Sequence, residues 1–123
     1  MADAPEKPTL VTAAVLIIGN EILSGRTQDI NLAHLAKTLN EDGIQVREAR
    51  VVPDVPTEII DALNALRARY DHVFTTGGIG PTHDDITAEC VAAAFGVPLV
   101  IDETIAEMIR RRPATPEILQ ARL

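Results

Sequence analysis

Short apolar runs alternate with stretches whose hydrophobic residues recur at helical spacing, and this alternation sets the reading of the chain from Val11 onward. Val15-Leu16-Ile17-Ile18 is continuous and rich in β-branched side chains. A strand of that kind is covered on both faces, so it is expected at the centre of a sheet with helices on either side. Leu32, Leu35, Ala36 and Leu39 follow the i, i+3, i+4, i+7 pattern of an amphipathic helix that starts near Asp29 or Asn31 and closes at Asp42-Gly43. Gln45 to Val52 reads as a second strand, halted by Pro53. The next helix runs from Pro56 to Arg69, with Ile59, Ile60, Leu63 and Leu66 on one face and Pro56 in the first turn, where a missing N–H costs nothing. His72 to Thr76 is the third expected strand, and Ile86 to Phe95 the helix after it, ended by Gly96. Val97 to Ile101 is expected to be a short fourth strand, placed at an edge because Pro98 cannot donate to a ladder. Thr104 to Arg112 is expected as a helix with Ile105, Met108 and Ile109 inward, and Pro116 to Leu123 as the start of another. Strands alternating with helices predict an α/β domain with a mostly parallel sheet. Residues 1–10 read as a tail and 11–123 as one domain.

Composition narrows the partners more than it changes the fold. The chain has 123 residues, 46% of them hydrophobic, which suffices for one core and is too little for two domains. A formal net charge of -7 argues against a nucleic-acid surface, which needs a basic stripe. The one dense basic run, Arg110-Arg111-Arg112, reads as a solvated helix end. Cys90 is the only cysteine, so no internal disulfide can form, in keeping with a cytoplasmic protein. Acids and prolines fill Met1 to Pro8, where a signal peptide carries basic residues. The apolar run that follows is about half of the roughly 20 residues that a membrane span needs.

Candidate chemistry concentrates between Phe74 and Thr87, where a strand end leads into Thr75-Thr76-Gly77-Gly78-Ile79-Gly80-Pro81-Thr82-His83-Asp84-Asp85. Glycines allow backbone amides to approach a phosphate closely, and the helix beyond offers unsatisfied N–H groups. Asp84 and Asp85 oppose that use, since two like charges about 4 Å apart repel by about 4 kcal/mol at an effective dielectric of about 20. A divalent cation resolves the conflict, and Mg²⁺ held by one or two carboxylates plus substrate phosphates is the usual arrangement. The turn fits neither a dinucleotide fingerprint nor a P-loop. It could also serve only as a tight connection, with one aspartate capping the helix.

Ligands of open α/β sheets bind beyond the carboxyl ends of the strands. Gly19-Asn20-Glu21, Pro53-Asp54 and the glycine turn all lie there, so Glu21, Asp54, Asp84 and Asp85 are expected to share one rim. Asp54 could instead cap the helix beginning at Pro56. Ser24, Thr27 and Asn31 are polar residues near the same rim, each as suited to capping as to ligand contact. His83 reads as a charge partner of the acids, His34 and His72 as surface or packing residues, and Cys90 as an inert core thiol. Nothing suggests a nucleophile-and-base arrangement.

Gly19-Asn20-Glu21-Ile22-Leu23-Ser24-Gly25, Asp29-Ile30-Asn31, Val52-Pro53-Asp54 and Thr76 to Thr87 together resemble the MoaB/Mog-type molybdopterin-binding domain. Within that superfamily they are most similar to the CinA branch, the N-terminal domain of competence/damage-inducible protein A. The resemblance implies a three-layer α/β/α fold and a homo-oligomer. It implies a role in molybdenum cofactor biosynthesis by MgATP-dependent adenylation of molybdopterin, or a CinA-like hydrolysis of nucleotide pyrophosphates such as ADP-ribose. Asp54 and Asp85 take the places of its two functionally important aspartates. On this basis Gly77, Gly78 and Gly80 hold phosphates, and Asp84 and Asp85 place the cation. Asp54 positions or activates the attacking oxygen, and Gly19, Glu21, Asn31, Thr76 and Thr82 line the pterin or nucleotide site. Ile79 departs from the threonine or leucine common in the family. The chain also ends at Leu123, ahead of the last elements of relatives, so a C-terminally truncated domain is expected. A non-catalytic ligand-binding or scaffold module of the same fold is the alternative.

Overall fold

A computed structural model of the chain describes residues 10–80 and 85–111. In chain order the elements are β1 (Val11–Ile18), α1 (Asn20–Leu23), α2 (Asn31–Glu41), β2 (Ile44–Val52), α3 (Pro56–Arg69), β3 (His72–Thr76), α4 (Thr87–Phe95) and α5 (Glu103–Arg110). The three strands form one parallel sheet in the order β2-β1-β3. The sheet and its helices make the α/β fold that the alternating pattern predicts. The tail residues 1–9, Arg112 of the basic run and the helix expected over Pro116–Leu123 lie outside the described residues.

β1 is central for the reason its sequence gives. Ala14, Leu16 and Ile18 pack against Ile59, Ala62, Leu63 and Leu66 of α3 and Cys90 of α4. Ala13, Val15 and Ile17 point the opposite way, because side chains alternate along a strand, and they are just as buried. Each fully buried Val, Leu or Ile contributes about 1.5–3 kcal/mol. β2 is half-covered instead, with every second residue exposed, as suits the edge of a sheet. The Cys90 thiol sits inside the core, and burial pushes its pKa up, which leaves it a packing residue.

The N-terminal end of β1 is fastened by a side chain from the α3–β3 connection. Asp71 accepts hydrogen bonds at Oδ2 from the Thr12 backbone N–H (2.8 Å) and the Thr12 hydroxyl (3.2 Å). Both bonds favour the carboxylate and hold its pKa below the ordinary value of 3.8. A lowered pKa contributes stability that is present above 3.8 and lost as pH falls through the folded value. The melting temperature of an Asp71→Asn variant should therefore fall less steeply than that of the wild type as the pH is lowered through 3.8, and parallel curves would refute the assignment.

Two expectations fail past α4. Val97 to Ile101 forms no strand, and Val97, Leu99, Val100 and Ile101 are all exposed. Gly96 takes the left-handed conformation (φ 66°), and the Gly96 and Val97 N–H groups donate to Ala93 and Ala92 carbonyls to close α4. The first residue of the expected strand is thereby spent on the helix end, and Pro98 has no donor to offer a ladder. In α5 the expected inward face is reversed, since Ile105 and Met108 are exposed while Ala106 is buried. Helical spacing marks an apolar stripe, but what the helix meets decides which side is buried, and here that side carries Ala106. The Ile109 side chain lies outside the described residues. α5 opens on Asp102, whose Oδ1 accepts from the Ile105 N–H at 3.0 Å.

No helix among the described residues is long and apolar enough to cross a membrane.

Candidate functional site

Register brings the three strand ends together. Ile18 pairs with Val52 and Ile17 with Thr76, and because all strands run parallel, the loops that follow leave side by side from one edge. The loop after β1 begins with the Gly19 N–H donating to the Val52 carbonyl at 3.0 Å, which binds it to the end of β2. A single helical turn, α1, follows where the sequence suggests only a loop. Asn20 and Asp54 then clasp each other: the Asn20 N–H donates to Asp54 Oδ2 (3.2 Å), and the Asp54 N–H donates to Asn20 Oδ1 (3.1 Å). Asp54 is accordingly engaged with α1, whereas the α3 N-cap position is held by Val55 without a side-chain cap bond.

The glycine turn owes its path to two positive backbone angles, Gly77 (φ 91°) and Gly78 (φ 68°). A Cβ on Gly77 would run into the Ile18 carbonyl oxygen, and one on Gly78 into the Thr87 hydroxyl. Thr87 fixes the turn from the α4 side. Its buried hydroxyl donates to the Gly77 carbonyl (2.8 Å), and its N–H donates to the Gly78 carbonyl (3.1 Å). Gly80 leaves room for the Asp85 carboxylate, and Gly19 for that of Glu21.

Two adjacent clefts result. The first, about 380 Å³, is lined by Asn20, Glu21, Arg26, Asp54, Gly78 and Asp85, together with Ile18 and Ile86. Among the described residues, three carboxylates, one from each connection that follows β1, β2 and β3, thus line one space with a single guanidinium. The second, about 260 Å³, is bounded by Glu21, Ile22, Ile30, Asn31, Thr76 and Gly77 among others. Glu21 and Ile18 belong to both. Among the described residues no group of three or more His, Cys, Asp or Glu side chains is close enough to enclose a metal ion unaided.

Of the residues singled out from sequence, Glu21, Asp54, Gly78 and Asp85 meet in the first cleft, and Glu21, Asn31, Thr76 and Gly77 in the second. Gly19 and Gly80 shape the space beside Glu21 and Asp85. Thr82, His83 and Asp84 lie outside the described residues. Asp29 settles as a helix cap, accepting the Leu32 N–H at 3.0 Å. His34 and His72 are exposed. Three further residues contribute with little trace in the sequence. Asn20 was legible only as a neighbour of Glu21, Thr87 as the end of the glycine turn, and Arg26 as the lone cation between Gly19 and Asn31.

Comparison with known proteins places the fold and the family. Residues 14–122 match the family model described as "Probable molybdopterin binding domain". The crystal structure of the protein CinA from Thermoplasma acidophilum superposes with a TM-score of 0.79 at 40% identity, covering 89% of this chain and 67% of that one. The tungsten cofactor synthesizing protein MoaB from Pyrococcus furiosus gives a TM-score of 0.64 at 26% identity over 85% of this chain and 62% of its own. A Caenorhabditis elegans protein named "Probable FAD synthase" is 39% identical over 111 residues, which are 90% of this chain and 21% of that protein. The chain thus spans about a fifth of that relative's length. The likeness to a protein of that name is not anticipated by the motifs. The chain belongs to the probable molybdopterin binding domain family.

Proposed function

We propose that the chain binds a pterin or adenine nucleotide across the two clefts and supports Mg²⁺-dependent chemistry at a phosphoanhydride. The observation that carries this reading is the convergence of Glu21, Asp54 and Asp85, one from each connection that follows β1, β2 and β3, on the cleft that the Gly78 turn also borders. The second cleft, with Ile22, Ile30 and Thr76, suits the ring end of such a ligand, and Glu21 stands between ring and phosphates.

The donor set fits a hard cation. Carboxylate oxygens are what Mg²⁺ takes, and it completes its shell from substrate phosphates and water, so an enclosing protein cage is not required. Asp85, together with Asp84, would hold it. Bound there, the ion would supply charge neutralisation at the phosphoanhydride oxygens. Asp54, oriented by its two bonds to Asn20, would align or deprotonate the attacking oxygen. The Gly77 and Gly78 backbone, held by Thr87, would approach the phosphates closely.

Adenylation of molybdopterin and hydrolysis of a nucleotide pyrophosphate are the two reactions in view, and the relative named for FAD synthesis also concerns a compound with a pyrophosphate. Incubation with Mg²⁺ and either ADP-ribose or ATP plus molybdopterin, read by mass spectrometry, tests this. AMP with ribose phosphate, or adenylated molybdopterin, is the expected product. A binding module without turnover is the second reading. Calorimetric binding with no product would decide for it.

A further inference from the structure

Among the described residues Arg26 is the one cationic side chain on the cleft that holds Glu21, Asp54 and Asp85. A guanidinium among three carboxylates ordinarily pairs with one of them. Among the described residues Arg26 forms no ion pair, and its hydrogen bond goes elsewhere: Nε–H donates to the Ser24 hydroxyl at 3.2 Å. Ser24 is itself anchored, donating to the Glu21 carbonyl at 3.3 Å. The Glu21 carbonyl also accepts the Thr27 N–H at 3.1 Å, so the loop folds back on the site from both sides of Arg26. With Nε spent on Ser24, the two terminal nitrogens keep their donors for a ligand. A planar fork of that kind matches the paired oxygens of a phosphate.

We propose that Arg26 is the direct receptor for a phosphate of the ligand, oriented by Ser24 as a positioning residue. This rests on the reading of the cleft as a phosphoanhydride site and assigns to it a residue outside the glycine turn. Arg26 offsets part of the negative charge of the three carboxylates and confers preference for ligands that carry phosphate over the bare nucleoside.

The test is calorimetry of the full chain with ADP-ribose and with adenosine, both in Mg²⁺. Arg26→Ala should weaken ADP-ribose binding about 10- to 100-fold, as expected for loss of a charge-assisted hydrogen bond, and leave adenosine binding unchanged. Arg26→Lys should recover only part of the loss, since an ammonium cannot fork. Ser24→Ala should weaken ADP-ribose selectively, and Ser24→Thr, which restores the hydroxyl, should return it. Unchanged ADP-ribose affinity in Arg26→Ala would overturn the assignment while leaving the site reading intact. Equal losses for adenosine and ADP-ribose would also overturn it, by revealing a structural role. Failure of the wild type to bind ADP-ribose would overturn the site reading, and the assignment with it.

Discussion

Replacing Gly77 by alanine should lower the melting temperature by about 10 °C, the largest stability loss expected from any single methyl added to this chain. Two costs combine. An L-residue held at φ 91° is strained by about 1–2 kcal/mol. The new methyl would also meet the Ile18 carbonyl, which is backbone and cannot swing aside. Ile18 is buried, packed against α3 and α4, and registered with Val52, so moving it disturbs the sheet centre. A total of about 3 kcal/mol follows, in the range of mutations that strain a special backbone position. Gly43 gives the control, because its φ is 82° but nothing lies within 4 Å of an added methyl. Gly43→Ala should cost only the backbone strain. Equal melting temperatures for the two variants would show that the approach of the turn to β1 does not matter.

Asp54→Asn is the second large effect, and it falls on chemistry rather than stability. An asparagine at this position keeps an oxygen to accept the Asn20 N–H, and its backbone N–H still reaches Asn20 Oδ1, so the clasp between the β1 and β2 loops survives. The charge does not. If Asp54 aligns or deprotonates the attacking oxygen, turnover should fall about 10²- to 10⁴-fold with little change in melting temperature. Asn20→Ala makes a useful comparison, since it removes one hydrogen bond from Asp54 while leaving the carboxylate in place. Its loss of turnover should be smaller. Full activity in Asp54→Asn would remove Asp54 from the mechanism.

Much of this arrangement was legible in the sequence because local pattern and tertiary context agree. The continuous Val15 to Ile18 run could only be a strand covered on both faces, and Pro56 marked the start of α3 because its lost donor is harmless there. The same logic failed at Val97 to Ile101. Its β-branched residues satisfy strand propensity, but a strand also needs a partner, and the Schellman closure at Gly96 had already claimed the Val97 N–H. In α5 the apolar spacing was real and its face was not, since periodicity identifies a stripe without saying what it meets.

The site divides in a similar way. Glu21, Asp54 and Asp85 could be placed together because parallel strands deliver their following loops to one edge, a consequence of topology that spacing alone implies. Arg26 could not. Whether a loop guanidinium turns toward a cleft, an acid or solvent depends on side-chain hydrogen bonds such as that to Ser24, and these leave no periodic trace. Thr87 was equally hidden, because a helix-starting threonine is a common cap, whereas here its hydroxyl reaches back to the Gly77 carbonyl.

Whether the converged carboxylates act through a cation shared with the ligand is decided by titrating ADP-ribose into the wild type and Asp85→Asn, each with and without Mg²⁺. Mg²⁺ should tighten binding to the wild type by about tenfold or more, roughly 1.4 kcal/mol, and that gain should vanish in Asp85→Asn. Wild-type affinity that is the same in the presence and absence of Mg²⁺ would contradict it.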